Sequence, residues 1–348
     1  MSARSDSAKV YRVAIVGLGR MGSTIDLEFP DWPPYSVAAA CAASSRLEVV
    51  AGADIDAAKR RAFTERWGVR AVYSDYLEMI ANEAPDLVAI CTRGPLHAEM
   101  AVQAAEAGVP LIYCEKAMAC SMEEADRVLD AVTRRGALFN TGVLRRFDSR
   151  YHAVRERIAA GQIGEVKAVV HYARSTLMHG HIHSIDTISF LLGDPRIESV
   201  WGELRPAGLT AENNRFDNDP AAVYQLLFAG GVEATTVPAG TWEFEVIGTE
   251  GSIRTLNNGT GALLRRAVQR GKLRHFETMP MALPPRGSAT QACLEDLVNA
   301  YEEGRLPLGH VTVAHHITEA CLAVAESHLT KRRVELPMTN RSLYVWHV

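Results

Sequence analysis

A lysine beside a glutamate at the end of an apolar run, three alternate histidines, and a set of closely spaced glycines are the residues of this chain whose types could do chemistry. Glu115-Lys116 follows Leu111-Ile-Tyr-Cys114, where buried character gives way to two opposite charges. As a surface ion pair they would contribute little. The sharper reading makes Lys116 a donor to a reacting oxygen, able to hold an alcohol or its alkoxide while hydride moves to a nicotinamide ring. Gly17-Leu-Gly19-Arg20-Met21-Gly22 directly follows the strand-like Tyr11-Arg-Val-Ala-Ile-Val16. In that setting Gly17 permits a tight turn, Gly19 admits a pyrophosphate and Gly22 lets a helix pack closely, with backbone donors at the helix start facing the phosphates. An ordinary strand-to-helix turn is the plain alternative. Asp54 ends the second strand, where a carboxylate accepts from the ribose hydroxyls of NAD and repels the extra phosphate of NADP. Asp56 agrees with NAD; Lys59 and Arg60 keep NADP open. His179, His181 and His183 would converge on a metal from a strand, or the first and third from a helix. No flanking carboxylate supports a metal, so a polar substrate-binding cluster is expected.

The elements that must position these residues follow from periodicity. From Tyr11 to about Phe139, short β-branched runs alternate with amphipathic ones, which predicts a doubly wound parallel sheet of the Rossmann kind. Leu47–Ala53, Leu87–Cys91 and Leu111–Cys114 read as strands, Asp56 as a helix N-cap, Leu96–Ala107 as a helix closed by Gly108, and Ser121-Met-Glu-Glu124 as a capping box. Strands so joined bring their carboxyl ends to one edge, so Gly17, Asp54, Thr92 and Glu115-Lys116 should meet there. Phe29-Pro-Asp-Trp-Pro-Pro-Tyr35 is inserted between Gly22 and Asp54; it reads either as an ordered flap near the nicotinamide end or as a surface loop with one buried Trp. Beyond Arg146 the strands are longer and successive: Val166–Ala173, Ile197–Leu204, Ala222–Phe228, Val232–Val237 and Trp242–Gly248, with a tight turn at Gly230-Gly231. This predicts a large, mainly antiparallel sheet in an α+β domain. The expected division is 1–145 for dinucleotide binding and 146–348 for substrate binding and oligomerisation, with the last helix, about Thr312–Leu329, assignable to either half.

The chain has 348 residues, 47% of them hydrophobic and 22% charged, too many for one core and too well mixed for disorder. A net charge of -4 offers no broad field for nucleic acid or an anionic membrane, which favours a small-molecule partner. Arg265-Arg266 and Lys331-Arg332-Arg333 read as solvated surface. Six cysteines without a CxxC pair are expected to be reduced. The polar start, Met1 to Lys9, and the absence of a long apolar stretch predict a cytoplasmic protein.

At this point the sequence resembles the glucose-fructose oxidoreductase and inositol dehydrogenase family. The resemblance is carried by the Gly17–Gly22 motif, Asp54, Thr92 through His97, Cys114-Glu-Lys116-Ala, Arg145-Arg-Phe147, Ile182-His-Ser-Ile-Asp186 running to Leu192-Gly193, and Val334-Glu-Leu-Pro337. It implies a two-domain, homo-oligomeric NAD-dependent oxidoreductase acting on sugars, cyclitols or related polyols. It makes Lys116 the catalytic lysine and His183 the histidine that exchanges a proton with the substrate hydroxyl. Asp186, one helical turn on, would fix the tautomer of His183 or bind substrate. His97 would touch the nicotinamide ribose or simply cap its helix, and Thr92 and Glu115 would line the cofactor edge. Arg146 would contact cofactor or substrate, or form an ion pair between domains. Two positions depart from the family: Glu-Lys-Pro is Glu115-Lys116-Ala117 here, and the aspartate usual four residues before the histidine is His179. The second change removes a carboxylate and leaves substrate and direction open. Two other functions remain: an enzyme that recycles bound NAD through transient sugar oxidation during elimination or glycoside cleavage, and a non-catalytic NAD sensor. His315-His316 reads as structural or surface, and the polar loop Asn213-Asn214-Arg215 with Asp217 has no assigned role.

Overall fold

Six strands, β1 (Tyr11–Val16), β2 (Leu47–Ala53), β3 (Ala71–Tyr73), β4 (Leu87–Ile90), β5 (Leu111–Cys114) and β6 (Leu138–Thr141), pair in parallel in the order β3-β2-β1-β4-β5-β6. The structure is a computed structural model and describes residues 9–348, so the expectation for Met1 to Lys9 lies outside the described residues apart from Lys9. Every residue of β4 and β5 is buried, as central parallel strands covered on both faces require. The strand order reverses between β1 and β4, which puts the ligand crevice of such a sheet at their carboxyl ends.

This first unit comprises Met1–Glu115, Arg127–Gly142 and Ser288–Val311. Its helices start where the sequence signals them: the Asp56 carboxylate accepts from Ala58 N at 2.8 Å, and Asp75 from Leu77 N at 2.7 Å. The third segment brings in the helix Ala289–Glu303. Asn140, fully buried at the end of β6, holds it by donating to the Cys293 carbonyl at 3.0 Å and Asp296 Oδ2 at 3.1 Å. Gly309 N donates back to Asn140 Oδ1 at 2.9 Å.

One expectation in this unit fails. The glycine motif does not open a continuous helix: a π-helical turn, Arg20–Thr24, passes into a 3-10 turn, Ile25–Leu27, and a regular helix begins only at Val37. Pro30, Pro33 and Pro34 in the insertion cannot supply helical N–H donors. The insertion is ordered by its own contacts, with Phe29, Trp32 and Tyr35 ring centroids 5.2–6.1 Å apart. Asp26 accepts from Tyr35 N at 2.7 Å, and the carbonyls of Pro34 and Tyr35 accept from Ser288 and Thr290 at 2.5 and 2.8 Å.

The second unit comprises Lys116–Asp126, Val143–Gly287 and Thr312–Val348. Its strands are β7 (Val166–Ala173), β8 (Ile197–Arg205), β9 (Arg215–Phe216), β10 (Ala221–Phe228), β11 (Glu233–Val237), β12 (Thr241–Gly248), β13 (Gly251–Leu256), β14 (Gly261–Arg270), β15 (Leu273–Pro280), β16 (Val334–Glu335) and β17 (Tyr344–Val345). Nine form one sheet, β15-β14-β13-β12-β7-β11-β10-β8-β16, antiparallel except for the β7–β11 pair. The five strands expected here are present, and Gly230 and Gly231, with φ of 90° and 82°, make the β10–β11 turn. The last helix, Val311–Thr330, lies on β8: its Ser327, His328 and His316 accept from Gly202 N, Leu204 N and Ile197 N at 2.9, 3.2 and 2.9 Å. His316 is thus structural, as is His315, 2.8 Å from Asp126. Asn214 ties its loop to the C-terminal residues, with Nδ2 donating to Asn340 and Ser342, both at 2.9 Å. All six cysteines are buried and none is in a disulfide. Among the described residues no helix is long and apolar enough to cross a membrane.

Candidate functional site

The glycine loop follows β1. Gly17 adopts φ +90°, and a Cβ there would stand 2.7 Å from the Cys91 carbonyl oxygen; a Cβ on Gly22 would stand 2.1 Å from the Gly17 carbonyl oxygen. A Cβ on Gly19 would meet nothing within 4 Å. The outer glycines are therefore fixed by the protein's own close packing, and the middle one faces open space, the arrangement a pyrophosphate needs. Asp54 ends β2 with its side chain largely buried, accepting from Leu18 N and Asp56 N at 2.9 Å each. Lys59 Nζ lies 3.7 Å from the same carboxylate. Arg20 is exposed and paired with Glu28 at 2.7 Å, and Met21 beside it is partly exposed. These residues fit a dinucleotide. Gly22→Ala is expected to weaken NADH binding by about tenfold or more, read by fluorescence titration; unchanged affinity would remove this loop from the cofactor site.

Other residues expected along this edge serve to brace it. Thr92, after β4, gives its carbonyl to His97 Nε2 at 3.0 Å, and His97 is 1% exposed. That ring stitches the loop to the start of the helix Gly94–Glu106. Glu115 is buried too, accepting from the Tyr113 hydroxyl at 2.5 Å, and Gly142 leaves room for its carboxylate.

Lys116 begins the second unit, and the peptide bond that joins it to Ala117 is cis. The segment after it is braced by residues that the sequence reading passed over: the buried His347 accepts from Ala117 N at 3.2 Å, and Cys120 O accepts from Val345 N at 2.9 Å. Lys116 Nζ lies 2.9 Å from His179 Nδ1 and donates to the His179 carbonyl at 3.2 Å. An ammonium can only donate, so Nδ1 accepts and a neutral His179 ring carries its proton on Nε2. Asp219 fixes this turn by accepting from Met178 N and His179 N at 2.8 and 2.7 Å. Its one sequence signal is its place before Pro220, where the chain enters β10.

His183 stands in the first turn of the helix Ile182–Leu192, close enough to Lys116, Arg145 and His179 to feel their charges. Burial, reinforced by the positive Lys116 and Arg145, holds it well below the ordinary histidine range, so it is neutral near pH 7. Its Nδ1 is buried with no hydrogen-bond partner among the described residues. Asp186 does not orient it. Asp186 Oδ1 instead accepts from Arg146 Nε and Nη2 at 2.9 and 2.8 Å, and Arg146 also donates to Asp194 at 2.8 and 3.0 Å. Arg146 is 0% and Asp186 1% exposed; of the parts open to Arg146 the structure shows an ion pair, formed within the second unit, and both charges meet in a buried pair. Burial works against the Arg146 charge, and Asp186 and Asp194 overcome it, holding the guanidinium above its ordinary value.

The three alternate histidines part company. His181 turns into the core beside His171, both fully buried, with Ser184 Oγ 2.8 Å from His171 Nε2 and 3.4 Å from His181 Nδ1. Among the described residues no group of three His, Cys, Asp or Glu side chains is disposed to hold a metal ion. Burial pushes His171 down to about 3 and His181 to about 4. The unfolded chain therefore binds protons that the folded one refuses below pH 6.5. Stability should be full above that value and fall toward pH 4, on the order of 1 kcal/mol per pH unit for each ring. Urea unfolding from pH 8 to 4 measures this, and a flat profile would contradict it.

A family model described as "Oxidoreductase family, NAD-binding Rossmann fold" matches residues 11–143, and one described as "Oxidoreductase family, C-terminal alpha/beta domain" matches 171–336. The chain is 36% identical to the uncharacterized oxidoreductase ORF334 of Rhizobium meliloti over 35% of its own length, and that match spans only 36% of the relative. It is 32% identical to the scyllo-inositol 2-dehydrogenase (NAD(+)) of Bacillus subtilis over 70% of this chain and 72% of that one. Among solved structures, levoglucosan dehydrogenase in complex with NADH and levoglucosan superposes with a TM-score of 0.75 at 20% identity, covering 95% of this chain and 100% of the other.

Proposed function

Because the chain belongs to the glucose-fructose oxidoreductase and inositol dehydrogenase family, we propose that it is an NAD-dependent oxidoreductase acting at a hydroxyl-bearing carbon of a sugar, cyclitol or related polyol. The observation that carries this reading is the gathering of Lys116, His179 and a neutral His183 in one place. The dinucleotide, when bound by Gly17, Gly19, Gly22 and Asp54, supplies the hydride acceptor or donor. Lys116 donates to the substrate oxygen and stabilises the charge that grows on it as its proton departs. His183, neutral at pH 7, takes that proton in oxidation and returns it in reduction. His179, sharing its Nδ1 with the lysine ammonium, holds Lys116 and borders the substrate. The position of Asp54 favours NAD, and Lys59 beside it makes NADP the necessary control.

The test is reduced-nicotinamide absorbance with NAD and NADP against sugars, cyclitols, sugar acids and glycosides. Turnover of at least one polyol, faster with NAD, is expected. Cleavage or elimination without net NADH release would select the recycling mechanism. Tight NAD binding with no turnover of any compound would select a sensor.

A further inference from the structure

We propose that the substrate is an acidic polyol, a sugar acid whose carboxylate is received by Arg145 from its seat on the ring of Trp242. The inference rests on reading the Lys116 cluster as a polyol site and names the class of polyol.

Arg145 and Arg146 are neighbours in the 3-10 turn Leu144–Phe147, where successive side chains point about 120° apart. Arg146 spends its donors on Asp186 and Asp194. Arg145 interacts with Asn258, whose Oδ1 accepts from its Nε at 2.9 Å, with Trp242, whose ring centroid lies 4.6 Å below its guanidinium, and with the nearby buried Tyr151 hydroxyl. No carboxylate among the described residues pairs with it; Asp186 feels its charge but is already held by Arg146. A guanidinium bonded through Nε, stacked on an indole and bordered by one phenol still carries more N–H donors than these neighbours use, in the planar fork that matches a carboxylate.

Trp242 puts that fork at the cluster. Its Cη2 lies 3.3 Å from where a Cβ of Gly180 would stand, and Gly180 separates His179 from His181. The indole is also 5.7 Å from the His171 ring. Trp242 adopts φ +60°, a conformation that costs a bulky residue about 1–3 kcal/mol and persists where surroundings enforce it, often at a ligand site. Asn258, the acceptor that steadies Arg145, also has positive φ, at 53°.

The charge around His183 points the same way. Lys116 and Arg145 both act on it and both are cationic, while the carboxylate of Asp219 is engaged by two backbone N–H groups. Where the family carries an aspartate, this chain carries His179. Gathering like charges raises the free energy of an empty site, and an anionic group on the substrate offsets it.

Matched pairs differing only in the acid group test the idea: gluconate against glucitol, and galactonate against galactitol, titrated calorimetrically into the wild type with NADH present. In each pair that binds, the acid should bind at least about tenfold more tightly. Arg145→Met should reduce that ratio to within about threefold and Arg145→Lys should retain part of it, with thermal unfolding confirming that each variant is folded. Equal affinity for acid and alcohol, a ratio unmoved by Arg145→Met, or no binding by any pair overturns the inference. Hydride transfer is followed separately: an acid that binds preferentially without being oxidised sinks the oxidoreductase reading and spares this one, and oxidation of neutral polyols without acid preference does the reverse.

Discussion

Lys116→Ala is expected to lower kcat by about a thousandfold while the dissociation constant for NADH stays within about threefold of the wild type. The magnitude follows from what the ammonium does: a positioned proton donor contributes on the order of 10²–10⁴ in rate, and loss of one donor to a developing oxyanion about 10²–10³. The affinity should hold because Gly17, Gly19, Gly22 and Asp54 belong to the first unit, whereas Lys116 is anchored through His179 in the second. Lys116→Arg tests geometry as well as charge, since a planar fork cannot reproduce the contacts of a compact ammonium with His179 Nδ1 and its carbonyl. Single-turnover absorbance with saturating NAD separates chemistry from binding. Full activity of Lys116→Ala would end the enzymatic reading of this lysine, and with it the use of the neutral His183 beside it.

The second large effect concerns stability. Removing one partner of a buried ion pair strands the other, which costs about 3–5 kcal/mol. Asp186→Ala leaves Arg146, 0% exposed, with Asp194 alone, so unfolding free energy should fall by about that amount in urea titrations. With a guanidinium 2.8 Å away, Asp186 remains a carboxylate at neutral pH although burial pushes it up, to about 6. Joint replacement, Asp186→Leu with Arg146→Met, should recover a large part of the loss, because an apolar pair leaves no uncompensated charge. A decrease under about 1 kcal/mol for Asp186→Ala would mean that water reaches the guanidinium and that the pair is not the buried strut described.

Four strands of the parallel sheet, β1, β2, β4 and β5, were legible as short, mostly apolar runs, and Asp56 and Ser121 cap where capping residues belong; β3 and β6 are too short and too mixed to stand out. The hairpin β14–β15 was not legible, for a physical reason: β15 and the outer half of β14 carry no buried residue, so neither shows the alternation that a buried face imposes. Within the site, Lys116, His179 and His183 were recognised by type and order, and they do come together. Asp219 and His347 escaped notice because they act through backbone groups of distant segments, a relation that leaves no local spacing to read. For Arg146 contact with a ligand and an ion pair stayed open together, since adjacency in sequence cannot say which side of a 3-10 turn faces the core; the structure shows the ion pair.

The helix Ala289–Glu303 has a consequence for inheritance. Each unit is assembled from three separate stretches of chain, so the nucleotide-binding half is not one transferable block. A fragment ended after β6 would keep all six parallel strands yet leave Asn140 without Cys293, Asp296 and Gly309, the partners that complete its hydrogen bonds. Recombination at a single junction would therefore carry away a sheet with an exposed flank, and the two halves of such a chain are constrained to diverge together.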